Sequence, residues 1–338
     1  MRGYAWGMTK GAMAVAVALL LSAVMVLSAA HVWAAPAAKS VTSSNNSLQI
    51  SPVRSDITVQ PGESGTVKVI VTNTTSAPLN LKAIENDFIA GDEKGTPSII
   101  LDPNSYAPSH SLKRFMVPLQ NVTVAAHESK EVDVQVTVPK NAQAGGYYGA
   151  IRFAPAADDS GNSVNLSASV ASLILLTVPG PVTESLTMTD FAIQQNGGTS
   201  GSFRTPDGIA LFMRFVNKGN IQEAPFGQIY VQKGNKTVYK YDFNTTDPKD
   251  NILPDSARRW TIPLKGFGKF GKYTVGATLS YGTKGQSIEI KKTIWIIPTA
   301  YILGAIIGLV VLIAVVGGLW LFLRSYKRKI LRSSRRRY

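Results

Sequence analysis

The chain has 338 residues, with 35 Lys and Arg against 21 Asp and Glu, a formal net charge of +14, and no cysteine. Without cysteine there is no disulfide staple, no lipoprotein anchor and no thiol nucleophile or metal ligand, so stability has to come from packed core. The charge does not indicate nucleic acid: eight basic residues follow position 323 and two precede position 11, leaving 25 against 21 acids between them, or +4.

Arg2 and Lys10 flank the start of an uncharged stretch, residues 11–30, and Val32-Trp33-Ala34 places small side chains one and three residues before Ala35-Pro36. This layout predicts a signal peptide at 1–34 cut after Ala34. An uncleaved anchor is the alternative, since the stretch approaches the ~20 residues that cross a bilayer. A Ser/Asn/Ala-rich leader, 35–47, follows.

Beyond it the chain reads as short β-branched runs between turn residues. Residues 66–72 and 131–138 alternate apolar and polar, which predicts half-buried strands. Further runs lie at 79–84, 149–153, 166–178, 209–216, 228–231, 237–243, 273–280 and 287–294. Away from the termini there is no amphipathic helical period. The expected fold is all-β: two tandem immunoglobulin-like sandwiches, 48–180 and 181–293, divided at Pro179-Gly180-Pro181.

The two halves repeat. Val124-Ala125-Ala126-His127-Glu128-Ser129 leads into a strand and then Gly145-Gly146-Tyr147-Tyr148; Ile252-Leu253-Pro254-Asp255-Ser256 leads into a strand and then Gly271-Lys272-Tyr273. A strand ending in Asn precedes each, at Asn73 and Asn217. An Asn there is expected to turn the chain through positive φ, and the Tyr of each Gly-x-Tyr to cap its sandwich.

Residues 293–323 carry no charge, with Pro298 suited to a first helical turn and Trp295, Tyr301 and Trp320 near the two ends. A transmembrane helix is expected at 294–323. The tail, 324–338, is basic throughout: Arg324, Lys327, Arg328, Lys329, Arg332, Arg335, Arg336 and Arg337, with no acid. Positive charge beside a span stays cytoplasmic, so a single-pass type I protein is expected, its bulk outside and its tail able to hold anionic lipids. Gly304 and Gly308, four apart in the span, would permit a weak homodimer.

Signal peptide, a Pro61-Gly62-Glu63-Ser64 turn before a strand ending in Asn, a Gly145-Gly146-Tyr147-Tyr148-Gly149-Ala150-Ile151-Arg152-Phe153 strand, second sandwich, span and basic tail together resemble the WxL-interacting proteins of Gram-positive cell surfaces. The resemblance implies a first sandwich that binds the peptidoglycan-binding part of WxL proteins, and a second that binds host-surface molecules.

Chemistry is sparse. His110 and His127 lie in loops without carboxylates at metal-ligand spacing, and nucleophile-elbow, phosphate-loop and zincin motifs are absent. Asn86-Asp87, Asp92-Glu93 and Asp158-Asp159 could be read as calcium loops, but turns fit them better. No catalytic residue, cofactor or metal is expected. One loop stands out for binding, Gly266-Phe267-Gly268-Lys269-Phe270-Gly271, where Phe267, Lys269 and Phe270 combine rings and charge between glycines. The expected function is adhesion to another envelope protein or to cell-wall polymer; a membrane-tethered enzyme or chaperone acting on envelope substrates is the alternative.

Overall fold

A computed structural model describes residues 47–156 and 169–334, with side chains as far as Arg324 and at Tyr326. The expected signal peptide, most of the leader, Asp158-Asp159 and the last four tail residues lie outside the described residues.

The first sandwich contains β1 (Leu48–Ser51), β2 (Arg54–Thr58), β3 (Ser64–Asn73), β4 (Leu79–Ala90), β5 (Pro97–Ile99), a 3-10 turn (Lys113–Phe115), β6 (Val122–Val124), β7 (Ser129–Thr137), β8 (Gly145–Pro155) and β9 (Val170–Val178). One sheet has the order β1-β3-β7; the other runs β2-β9-β8-β4-β5, with β6 added to β4. Alternation places Val67, Val69 and Val71 of β3 and Val132, Val134 and Val136 of β7 in one core, where Val69 lies opposite Val132 and Val67 opposite Val134. Each such valine contributes roughly 1.5–3 kcal/mol. Ile151, Phe153, Ile174 and Leu176 close that core from the facing sheet.

The second sandwich contains β10 (Leu186–Gln195), β11 (Gly198–Thr199), β12 (Ser202–Phe203), β13 (Ile209–Asn217), β14 (Phe226–Lys233), β15 (Lys236–Phe243), β16 (Ala257–Pro263), β17 (Gly271–Tyr281) and β18 (Gln286–Ile296). Its sheets are β11-β10-β13-β16 and β12-β18-β17-β14-β15. The order β1-β3-β7 is thus repeated as β10-β13-β16, and β2-β9-β8-β4 as β12-β18-β17-β14. Even the parallel pairs correspond, β2 with β9 and β12 with β18.

The repeat extends to single atoms, though by a different route from the one expected of Asn73 and Asn217. Neither turns the chain through positive φ; His127 and Asp255, at matching positions in the next loop, do so with φ of 57° and 54°. The asparagines are wholly buried instead. Asn73 Nδ2 donates to the carbonyls of Ala77, Val124 and Ala125, and Asn217 Nδ2 to those of Ile221 and Ile252. Their Oδ1 atoms accept from the amides of Thr75 and Gly219. A side-chain amide can satisfy several loop groups at once where no strand is near enough to do so.

The apolar run near the C-terminus divides in two. Ile294 and Ile296 are wholly buried in the second core and belong to β18, so the helix begins later than position 294. Helix α1 (Thr299–Ser334) then continues past Leu323 into the basic tail. Its apolar part, Thr299–Arg324, contains an 18-residue window with a mean hydropathy of 2.9, and none of that window is buried.

Candidate binding surface

Strand β4 breaks its own alternation: Asn86, Asp87 and Phe88 are all buried. The outward face is covered, in part by the loop after β5. Asp87 Oδ2 accepts the Ala107 amide at 2.9 Å and Oδ1 the Lys113 amide at 2.8 Å, while Asn86 Nδ2 donates to Ile100 O at 2.8 Å. Asp102 folds the loop on itself, accepting from the Asn104 amide and the Ser105 hydroxyl, whose hydrogen bond holds its carboxyl below the usual range. Lys113 Nζ closes the far side on the carbonyls of Pro103 and Ser105.

Residues 101–111 are therefore held rigid, and they present apolar groups to solvent. Leu101 is 62% exposed and Tyr106 46%. Lys113 Nζ and the Arg114 guanidinium lie over the Tyr106 ring, 4.9 and 4.5 Å from its centroid. An exposed ring with two cations, on a loop pinned by a buried carboxylate, can bind by stacking and charge with little entropy to lose.

A second organised region lies where the sandwiches meet. Tyr148 Oη donates to Gln222 Oε1, and Phe88, Tyr148, Ala150 and Leu175 form a small core against which Leu253 of the second sandwich packs. Gly146 N–H donates to Asn220 O, and Asn220 Nδ2 to Ala144 O. This approach explains the paired glycines before the tyrosines: a Cβ on Gly146 would lie 2.0 Å from Tyr148 Oη, and one on Gly145 2.6 Å from Asn220 O. Arg214 grips Glu93 through Nε and Nη2, and Arg259 N–H donates to Glu93 O. His110, in its loop, donates from Nδ1 to Gly146 O at 2.7 Å.

Glu223 also sits at this junction, 2% exposed, with Oε1 unpartnered. Burial, reinforced by the nearby Glu184 charge, pushes its carboxyl up to about 7, against the opposing donation of the Gly282 amide. Tyr148, beside it, is raised by burial. The cleft at the junction, lined by Arg54, Phe88, Leu175, Asn251, Leu253 and Arg258, has a volume of about 170 Å³. Ligand pockets span roughly 300–1,000 Å³, so this one is a packing gap rather than a small-molecule site.

The loop singled out from sequence splits. Phe267 turns in against the second core, its ring 5.2 Å from Tyr273 and at 83° to it, while Gly268 N–H donates to Tyr273 Oη. Phe270 is 48% exposed and Lys269 is exposed. Gly304 and Gly308 face open space on α1. Arg324 lies over Trp320 at 5.1 Å; the remaining tail side chains, Lys327, Arg328, Lys329, Arg332, Arg335, Arg336 and Arg337, fall outside the described ones. Among the described residues no group of three acids and histidines could hold a metal. Asp92, read as a possible calcium ligand, accepts from the Lys94 and Thr96 amides in a turn.

Sequence reasoning passed over Tyr106, Asp87 as an anchor, and Glu223. A signal for the first did exist: Pro103-Asn104-Ser105-Tyr106-Ala107-Pro108 places an aromatic in a run without strand period.

Residues 41–155, which include the strands through β8, match the family model described as WxL Interacting Protein, peptidoglycan binding domain. No curated protein matches the sequence. Among solved structures the chain is similar to the class 5 fimbriae chaperone CfaA, at 17% identity over 72% of this chain and 98% of that one, with a TM-score of 0.38. It is also similar to the E. coli chaperone DraB, at 15% identity over 74% and 96%, with a TM-score of 0.33.

Proposed function

We propose, from the match of residues 41–155 to the WxL-interacting protein family, that the chain is a membrane-anchored adhesion protein whose first sandwich grips cell-wall polymer through residues 101–111. A cell-surface binding role follows from the peptidoglycan-binding match itself. The observation that carries the finer reading is Tyr106, held exposed between Lys113 and Arg114 on a loop that Asp87 makes rigid. The ring would stack on the C–H face of a sugar, and the cations would pair with lactyl or stem-peptide carboxylates.

Anchoring is supported by α1, whose 26-residue span Thr299–Arg324 reaches about 39 Å against a hydrocarbon core of about 30 Å. Its cationic continuation supports a cytoplasmic C-terminus, with anionic lipid held there. A WxL-type protein as second partner rests on the family alone, and self-association through Gly304 and Gly308 on their spacing alone.

Co-sedimentation of the detergent-purified full chain with peptidoglycan sacculi tests the reading. Wild type should pellet, Tyr106→Ala should bind at least tenfold more weakly with unchanged melting, and Asp87→Ala should lose both binding and about 2 kcal/mol of stability. Undiminished binding by Tyr106→Ala would refute the loop. Wild type left in the supernatant would refute polymer binding.

A further inference from the structure

The second sandwich gathers an unusual set of side chains at the end from which α1 departs. Four segments meet there: residues 201–206, the β14–β15 turn at 232–237, the loop 264–272, and the strand-to-helix junction at 295–301. They contain Arg204, Lys233, Lys236, Lys265, Lys269 and Lys272, all exposed, and no Asp or Glu. The contacts that bring them together are explicit. Lys233 Nζ donates to Phe270 O at 3.4 Å and lies 5.5 Å over the Tyr273 ring. Arg204 Nη1 donates to Ile297 O at 3.5 Å, and Lys272 Nζ lies 6.0 Å over the Trp295 ring.

Aromatic side chains stand among these cations and point outward. Phe270 and Trp295 are 48% and 43% exposed, and Phe270 packs 5.2 Å from Tyr301, in the first turn of α1. Only Ile297 and Pro298 separate β18 from α1. Neither is slack: Ile297 N–H donates to Phe203 O, its carbonyl accepts from Arg204, and Pro298 O accepts from the Tyr301 amide. The basic end of the sandwich is consequently held level with the start of the apolar helix.

Resting on the reading that α1 crosses a membrane, we infer that this collar docks on the anionic phospholipid headgroups of the outer leaflet, with Phe270 and Trp295 lodged at the interface. Rings that are apolar in body and tolerate a polar rim favour that depth, and a cation cluster within a Debye length of an anionic surface is drawn to it. Phe270 and Lys269 then serve the membrane and not a soluble partner. The second sandwich is held against the bilayer at a set tilt, and the rigid junction above carries that orientation to the first.

The cysteine-free chain permits a direct test. Full-length Lys269→Cys, and Thr245→Cys at the opposite end of β15, are labelled with an environment-sensitive dye and reconstituted into vesicles of phosphatidylcholine alone or with added phosphatidylglycerol. Docking predicts a blue-shifted emission at position 269, quenched by a lipid-borne quencher, in the phosphatidylglycerol vesicles and none at position 245. Adding Lys233→Glu, Lys236→Glu, Lys265→Glu and Lys272→Glu should abolish the shift while the chain remains vesicle-bound after alkaline carbonate. Equal emission in both vesicles, with the chain carbonate-resistant, would overturn docking and leave the anchor standing. Release by carbonate would overturn the anchor, and docking with it.

Discussion

The two sandwiches share a strand order, a parallel pair and a buried asparagine, yet they diverge at corresponding strands. After β14 the chain turns at once through Gly234-Asn235 into β15, whereas after β4 it makes a short hairpin with β5 and then crosses the outward face as residues 100–113. That difference leaves β14 with an ordinary sheet face and β4 with Asn86 and Asp87 buried beneath a loop. The two sandwiches agree where backbone groups would otherwise go unsatisfied. They differ in the connection that follows β4 and β14.

The largest effect should come from the shared element. Asn73→Ala and Asn217→Ala each leave several loop groups without a partner, and each should cost on the order of 3 kcal/mol in thermal or urea unfolding of the full chain in detergent. Near-equal losses would make the two positions energetically equivalent. A loss at only one would limit the repeat to topology.

Next comes Glu223, which has no counterpart in the first sandwich. Unfolded, its carboxyl ionises near the ordinary value of 4.5; folded, burial pushes it up to about 7. Between these values the folded state holds a proton that the unfolded state has released, so stability falls as pH rises through the window and stays lower above it. Glu223→Gln keeps the shape and removes the charge. It should flatten the profile and raise stability at pH 8 by about 2 kcal/mol. An unchanged slope between pH 4.5 and 7 would place the titration elsewhere.

The smallest effect concerns how the two halves are joined. Glu93 and Arg214 form a bidentate pair, but both side chains are about a third exposed, so Glu93→Ala should cost no more than ~1 kcal/mol. Gly146→Ala, which drives a methyl into Tyr148 Oη, should cost more. The reverse ranking would mean that charge and not close packing joins the sandwiches.

Local chemistry explains which features could be read in advance. Alternating valines in 66–72 and 131–138 specified strands because period two puts every second side chain on one face, and the strands formed there. Pattern alone marks only 149–153 of strand β8, because Tyr148 and Ala150 are buried against the second sandwich, so alternation fails for a reason outside the strand. The aromatic-glycine loop was visible as a composition. Its division, Phe267 inward and Phe270 outward, was not, since a ring's direction depends on which strand lies behind it.

Composition and order alone established a disulfide-free all-β chain, doubled, with a long apolar helix and a basic tail, because period, charge runs and turn residues are local properties. Where Asp87 reaches, which face of β4 is covered, and how six lysines and arginines from three distant segments come to surround the base of the helix were decided only by tertiary structure. Contacts between residues far apart in the chain leave no periodic trace along it.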